Sequence, residues 1–431
     1  MRKVLKTLAL LCFMAGMVGA ATTRGTITSS ETWSGTVSLT GDLVLQGGTL
    51  TIQPGTRVNM NGKEFSIRGT GIIRAVGTAA NHITFTGGET FINEMTNDDK
   101  CLFQYCDFLN NYCLIHFLNS NTKPQSPALT TMKFDNCLFR NGSYCLMYVT
   151  SGGSPILTNC HFEDAASGLF CHGGDVVDVS YCSFTNVSCG IISGSYGGQS
   201  YEPMLLKVNH CVFYDIDNSR TVSGVTVAKG YAICSVNSPG TMQIRNNIFQ
   251  QITYSSIRDW NIEDPNFSVN WTVLNDYNCH YMVNREPFKE RSPGSHSLVG
   301  VNPQMKNPAG GDYSLNSGSP CIGKASDGTD IGLSGGLASL FDNLMTGGKE
   351  LPVMVGANPF AGAVTLKSGL TGELKVLIYN EAGTPVRQLH GTGSVTWDGR
   401  SFTGQPVPEG AYFGLVVSDE GNALVRLVKA K

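Results

Sequence analysis

The chain has 431 residues, 51 of them glycine, with only 15% charged residues and 41% hydrophobic ones. Such a composition excludes a fully disordered chain and favours a turn-rich β protein over a helical one. The net charge of −3 gives no electrostatic reason to expect nucleic acid or anionic lipid as a partner.

The first 20 residues read as a secretory signal. Arg2, Lys3 and Lys6 form a basic start, an apolar run follows from Leu8 to Val18, and Val18-Gly19-Ala20 offers small residues for cleavage. The run is too short for a comfortable membrane span, and no later run is long enough to cross a bilayer. Removing residues 1–20 takes away three basic residues and no acidic one, which leaves 27 basic and 33 acidic residues and a net charge of −6. The expected location is therefore outside the cell or on the outer surface of a bacterium.

Residues 37–88 alternate short apolar stretches with turns, as in Leu43-Val44-Leu45, Leu50-Thr51-Ile52 and Ile83-Thr84-Phe85. A motif then returns six times. It begins with an apolar residue, places a cysteine three positions on and a phenylalanine two further: Phe103, Cys106, Phe108; Phe134, Cys137, Phe139; Leu157, Cys160, Phe162; Val179, Cys182, Phe184; Val208, Cys211, Phe213. The sixth copy, Ile244, Asn247, Phe249, carries asparagine in the cysteine position. The cysteines are 31, 23, 22 and 29 residues apart. Periods of this size mark solenoids, and variable length around a fixed motif means that loops bulge from a regular coil.

The motif predicts its own geometry. The first apolar residue, the cysteine and the phenylalanine point inward, and the residue between the last two points out. The two residues before the cysteine break the alternation and imply a bend, where Asn136, Asn159 and Asn246 tolerate left-handed backbone angles. Stacked coils then place cysteine on cysteine and phenylalanine on phenylalanine. A polar turn follows each phenylalanine (Asn110, Asn141, Asp164, Asn186, Asp215). It leads to a second set, Cys113, Cys145, Cys171, Cys189 and Cys234, read as a second column.

Of fourteen cysteines, Cys12 lies in the signal. Those in the columns read as small buried core residues. In-register stacking holds their Cβ atoms slightly too far apart for easy disulfides. Cys101, Cys279 and Cys321 lie off the columns and are the better disulfide candidates.

These segments resemble the right-handed β-helix repeats of pectate lyase-like proteins. Residues 37–88 are similar to their opening coils and residues 264–332 to a degenerate end, on Asp264-Pro-Asn-Phe267, Asp312-Tyr-Ser-Leu315, Gly318-Ser-Pro-Cys321-Ile322 and Asp330-Ile-Gly332. The expected fold is all-β: a right-handed parallel β-helix solenoid over residues 21–332, a Gly/Ser/Leu-rich linker at 333–356, and a small Ig-like β-sandwich at 357–431. The last unit rests on Asn358-Pro-Phe360, the strand Leu374–Tyr379, Trp397-Asp-Gly399 and Gly410-Ala-Tyr412. It resembles the Ig-like domain of flagellar hook-capping proteins and the C-terminal sorting domain of type IX secretion cargo. That resemblance implies export machinery as a partner and attachment at, or release from, the cell surface.

The resemblance also sets what chemistry to look for. β-helix lyases need carboxylates on neighbouring coils to hold calcium, which takes six to eight oxygens, with a Lys or Arg as base. Hydrolases need paired carboxylates. The outward positions before the first apolar residue are Lys133, Ile156, Asp178, Lys207 and Gln243, and those after it are Asp135, Thr158, Ser180, Asn209 and Arg245. Asp178, Lys207 and Arg245 thus share one face, a lyase-like mixture with a single carboxylate and equally an ordinary solvated face. Calcium enters only under a lyase reading, and no metal site or other cofactor is identified. The column Asp107, Leu138, His161, Ser183, Val212, Ile248 reads as mostly inert.

Tyr196, Tyr201, Trp260 and Trp271 lie in or near the longer insertions, where aromatic rings stack on sugars or pack the loops down. No nucleophile elbow, phosphate loop, zinc motif or dinucleotide fingerprint is found. The leading reading is a binding or adhesion protein for polysaccharide. The alternatives are a polysaccharide lyase or glycoside hydrolase acting on an acidic glycan, and a structural surface spacer.

Overall fold

The computed structural model describes residues 21–95, 100–116, 132–142, 145–150, 154–172, 176–194, 204–217, 230–236, 240–259, 271–284, 291–327, 329–333, 351–369, 372–380, 385–401, 404–418 and 421–430. The expected signal at 1–20 lies outside the described residues. So does most of the expected linker, residues 334–350.

The chain winds as a parallel β-helix with three faces. The first face is a ten-stranded parallel sheet running from Glu31–Trp33 to Trp271–Asp276. The other two are the halves of a sixteen-stranded sheet. Its long strands, such as His161–His172 and Ser183–Gly194, bend midway and pair in both halves. The all-β solenoid expected from the motif is what the structure contains.

Both bends are made by left-handed residues. At the first, φ is positive at Tyr105, Asn136, Asn159, Tyr181, His210, Asn246 and Tyr277. At the second it is positive at Asn110, Asn141, Asp164, Asn186, Asp215, Gln251 and Met282. Asn and Asp accept this conformation readily. Tyr181 does so less readily, and its ring stacks on that of His210 at 4.9 Å between centroids and 8° between planes, a favourable contact.

Inside, the phenylalanines form the expected column. Phe85, Phe108, Phe139, Phe162, Phe184, Phe213 and Phe249 stack with successive centroids 4.8 to 5.0 Å apart. The cysteine column is also present, and all twelve described cysteines are buried and reduced in this structure.

The thiols of the column do more than fill the core. Each thiol faces a backbone carbonyl of the preceding coil: Cys106 that of Ala75, Cys137 that of Phe103, Cys160 that of Phe134, Cys182 that of Leu157, Cys211 that of Val179, at 3.4 to 3.6 Å. Cys182 Sγ also accepts the N–H of Cys160 at 3.4 Å. Where the motif switches to asparagine, the amide performs both tasks with shorter bonds. Asn247 Nδ2 donates to Val208 O at 3.0 Å, and its Oδ1 accepts the N–H of Cys211 at 2.8 Å. Asn278 repeats this one coil later, to Ile244 O at 2.9 Å and from Asn247 N at 2.8 Å. The position serves backbone groups freed by the bend, which cannot be left unpaired in the core.

The second cysteine set is not one column. Cys145 aligns with Ser167 and then Cys189, Cys171 with Val149 and Ser193, and Cys234 with Ile192. The coils differ in the number of residues between the second bend and these cysteines, so equal chemistry falls in different registers.

After the last full coil, residues 291–333 turn back over the second face as a cap. Met305, Tyr313, Cys321, Ala325 and Ile331 close over the outward side chains of Val212, Tyr214, Ile248 and Cys279 in a satellite hydrophobic cluster. The C-terminal unit is a β-sandwich. A three-stranded and a four-stranded antiparallel sheet close on a core that includes Leu366, Val376, Ile378, Trp397 and Leu427. Its first strand, Val353–Val355, pairs with Val364–Ser368, so residues 353–355 belong to the sandwich and not to the expected linker. Leu377, Tyr379 and Leu415 are buried although they lie outside the sandwich core. Burial raises the Tyr379 hydroxyl pKa, and the Asp330 and Asp327 carboxylates add to the rise.

Candidate functional site

Strand register builds two polar columns on the outward side of the first face. One runs Arg74, Leu102, Lys133, Ile156, Asp178, Lys207, Gln243, Leu274. The other runs Val76, Gln104, Asp135, Thr158, Ser180, Asn209, Arg245, Asp276. Coils rise by about 4.8 Å, and the two columns stand about 6.6 Å apart, two residues along a strand. Side chains on alternate residues are buried beneath them, as in the pattern of Val176–Ser180, so the columns rest on a rigid floor.

Asp178 and Lys207 are register partners on adjacent strands. Burial raises the Asp178 pKa, and the Lys207 ammonium opposes that rise. Arg245 shares the face but not the column. Its register partners are Asn209 and Asp276, while Lys207 is followed by Gln243. The three residues therefore form a bent line and not a ladder. Asp276 is already engaged: His296 donates its backbone N–H at 2.9 Å and lies with Nδ1 2.7 Å from the second oxygen.

The neighbouring carboxylate, Asp135, is enclosed by amides. Gln104 donates at 2.7 Å, Asn136 at 2.9 Å and Asn159 at 3.1 Å. Burial nevertheless raises its pKa, against those bonds. Gln104, Asp135, Thr158, Ser180 and Asn209 thus present a row of mixed donors and acceptors on consecutive coils. Among the described residues, no group of three or more His, Cys, Asp or Glu side chains could hold a metal ion.

The aromatic candidates divide. Tyr196, Tyr201 and Trp260 lie outside the described residues. Trp271 opens the strand Trp271–Asp276 and is 5% exposed, within the main core cluster. It is a core residue and not a stacking platform, because strand alternation puts it on the same side as Val273 and Asn275, the register partners of buried Met242 and Ile244.

The second face holds groups that the motif did not single out. The column read as mostly inert carries polar contacts: His82 Nδ1 lies 2.8 Å from Asp107 Oδ1, and His161 Nδ1 lies 2.6 Å from Ser183 Oγ. Arg140 pairs with Glu163. A serine held by an imidazole resembles a nucleophile and its base, but Ser183 is 1% exposed and the Tyr313 hydroxyl of the cap bonds to Ser183 and Thr185. No substrate reaches that hydroxyl, and the cluster pins the cap.

A second pin lies at the first bend. His210 Nε2 is 2.9 Å from Asp327 Oδ2, and its Nδ1 is 3.1 Å from Asp330 O. Asn246 donates to Ser326 Oγ at 3.0 Å and accepts the Ser326 N–H at 2.7 Å. Burial alone would raise the Asp327 pKa; the bond to His210, its charge and the bonds from Thr329 outweigh burial and hold it at about 2. These partners are 80 to 120 residues apart in sequence, so no local motif announces them.

The profile of the right handed beta helix region matches residues 90–272, which agrees with the coils described above. No curated protein matches the sequence. Among solved structures, the chain is similar over a short stretch to dimeric latent PorU from Porphyromonas gingivalis, at 20% identity and a TM-score of 0.16. The likeness covers 19% of this chain and 9% of that one, and it carries no argument about fold or function. The chain is a right-handed parallel β-helix repeat protein with a C-terminal β-sandwich.

Proposed function

We propose that the protein is exported to the cell surface or beyond and binds polysaccharide along the first face of its β-helix. The observation that carries this reading is the row of half-buried polar side chains on consecutive coils, from Gln104 to the exposed Arg245, beside the Lys133, Asp178 and Lys207 column. A linear polymer laid along the helix axis meets a new set of donors and acceptors at each coil, and weak contacts add along its length. Lys133, Lys207 and Arg245 favour a chain that carries carboxylate or sulfate groups.

A lyase acting on an acidic glycan is the second reading. It rests on Asp178 with its raised pKa beside Lys207. Asp178→Asn should then abolish product formation, and retained activity would exclude this patch as the site.

The C-terminal sandwich is assigned to sorting or anchoring by the export machinery, on the sequence features around Asn358, Trp397 and Tyr412. Deleting residues 351–431 and tracking surface delivery tests this; unchanged delivery would sink it.

A further inference from the structure

We propose that Cys279 and Cys321 form a disulfide that staples the cap to the last full coil. Cys279 lies on the strand Cys279–Val283, in the outward column that continues Val212 and Ile248. Cys321 lies in the turn of the cap that follows Ser319. Both are fully buried in the satellite cluster between coil and cap. The two thiols are neighbours in that cluster, and Cys321 raises the pKa of the Cys279 thiol.

The ladder cysteines also have thiol neighbours, but their setting differs. Cys106, Cys137, Cys160, Cys182 and Cys211 project side by side from parallel in-register coils, where Cβ atoms repeat at the strand spacing of about 4.8 Å, wider than a disulfide accepts. Each of those thiols serves a backbone carbonyl, and so does Cys279, to Val301 O at 3.4 Å; what sets the pair apart is the geometry of the elements that carry it. Cys279 and Cys321 come from elements that face each other across an interface, so their side chains converge. Cys101, the third off-column cysteine, instead accepts the backbone N–H of Ile73 on its sulfur.

The oxidant is a reactive disulfide, from glutathione or an extracytoplasmic dithiol oxidoreductase. While the cap is still open, the Cys321 thiolate attacks that disulfide, forms a mixed disulfide and expels one thiol. The Cys279 thiolate then attacks the Cys321 sulfur and expels the second. Two thiol protons are released in forming the two attacking thiolates, and both leaving thiolates take up protons. The protein loses two electrons and the oxidant gains them. The bond closes the loop from residue 279 to 321 and restricts the unlatched cap.

Occurrence in the cell rests on the export reading, whereas formation in vitro does not. The full chain is refolded in a glutathione redox buffer, alkylated under denaturing conditions and mapped by mass spectrometry without reduction. The expected result is one internal bond, Cys279–Cys321, with the ladder cysteines alkylated. Alkylation of both residues, or pairing of either with another cysteine, overturns the proposal. As a second readout, trypsin should cut at the exposed cap residues Lys306 and Lys324 roughly tenfold more slowly in the oxidised protein than in the reduced protein or in Cys321→Ser. Equal rates overturn the staple. If the bond forms in vitro but protein recovered from its native cells is reduced, the export reading fails and the pairing stands.

Discussion

Replacing Asn247 with alanine should destabilise the β-helix strongly. Asn247 is fully buried. Its amide donates to Val208 O and to Asn278 Oδ1, both at 3.0 Å, and accepts the N–H of Cys211 at 2.8 Å. Asn278 Oδ1 keeps a second donor, the Asn247 backbone N–H at 2.8 Å, so the substitution strands two buried backbone groups. Each such group costs about 1–3 kcal/mol, which sets the expected loss at about 4 kcal/mol. Asn247→Cys restores the arrangement of the five preceding coils with a weaker donor and acceptor, and should recover at least half of that loss. Equilibrium urea unfolding of the three proteins, followed by circular dichroism, measures the difference. If Asn247→Ala costs less than about 1 kcal/mol, or Asn247→Cys is no better than alanine, the shared role of cysteine and asparagine is wrong.

Three further outcomes follow from the same contacts. Asp327 is held at about 2 in the folded chain, below its unfolded value near 3.8. Its contribution, about 2 kcal/mol, is therefore present above pH ~4 and is lost as pH falls towards ~2; urea midpoints measured across that window should fall less steeply in Asp327→Asn than in the wild type. Gly190→Ala should cost about 1–3 kcal/mol, because a Cβ there would stand 2.6 Å from Ala232 O and 2.7 Å from the Phe213 ring; a neutral result in thermal melts would contradict that close approach. Trp271→Ala should lower stability by about 3–5 kcal/mol and leave glycan affinity per folded molecule unchanged in a titration, whereas a selective loss of affinity would restore Trp271 as a binding residue.

What the sequence made legible was the coil. The spacing of Phe103, Cys106 and Phe108 and its returns identified inward positions, and Asn136, Asn159 and Asn246 marked a bend, because these demands are local and repeat. Three things were hidden. The donor role of the thiols appears only when a carbonyl of the previous coil is in place. The register of Cys145, Cys171 and Cys234 depends on how many residues lie between bend and strand. The cap is joined to the coils through His210–Asp327 and Tyr313–Ser183, pairs far apart in sequence, and it covers a column that would otherwise look inert. The first face was readable as columns, but the offset of Arg245 from Asp178 and Lys207 needed the pairing itself.

The most direct test of the glycan-binding account is a titration of a panel of neutral, carboxylated and sulfated polysaccharides with wild type and with Asp178→Ala/Lys207→Ala/Arg245→Ala, run beside an assay for new unsaturated or reducing ends. The account predicts that wild type retains at least one acidic polysaccharide, that the variant loses most of that affinity while remaining folded, and that no new ends appear. Equal binding by the variant, or release of product by the wild type, would contradict it.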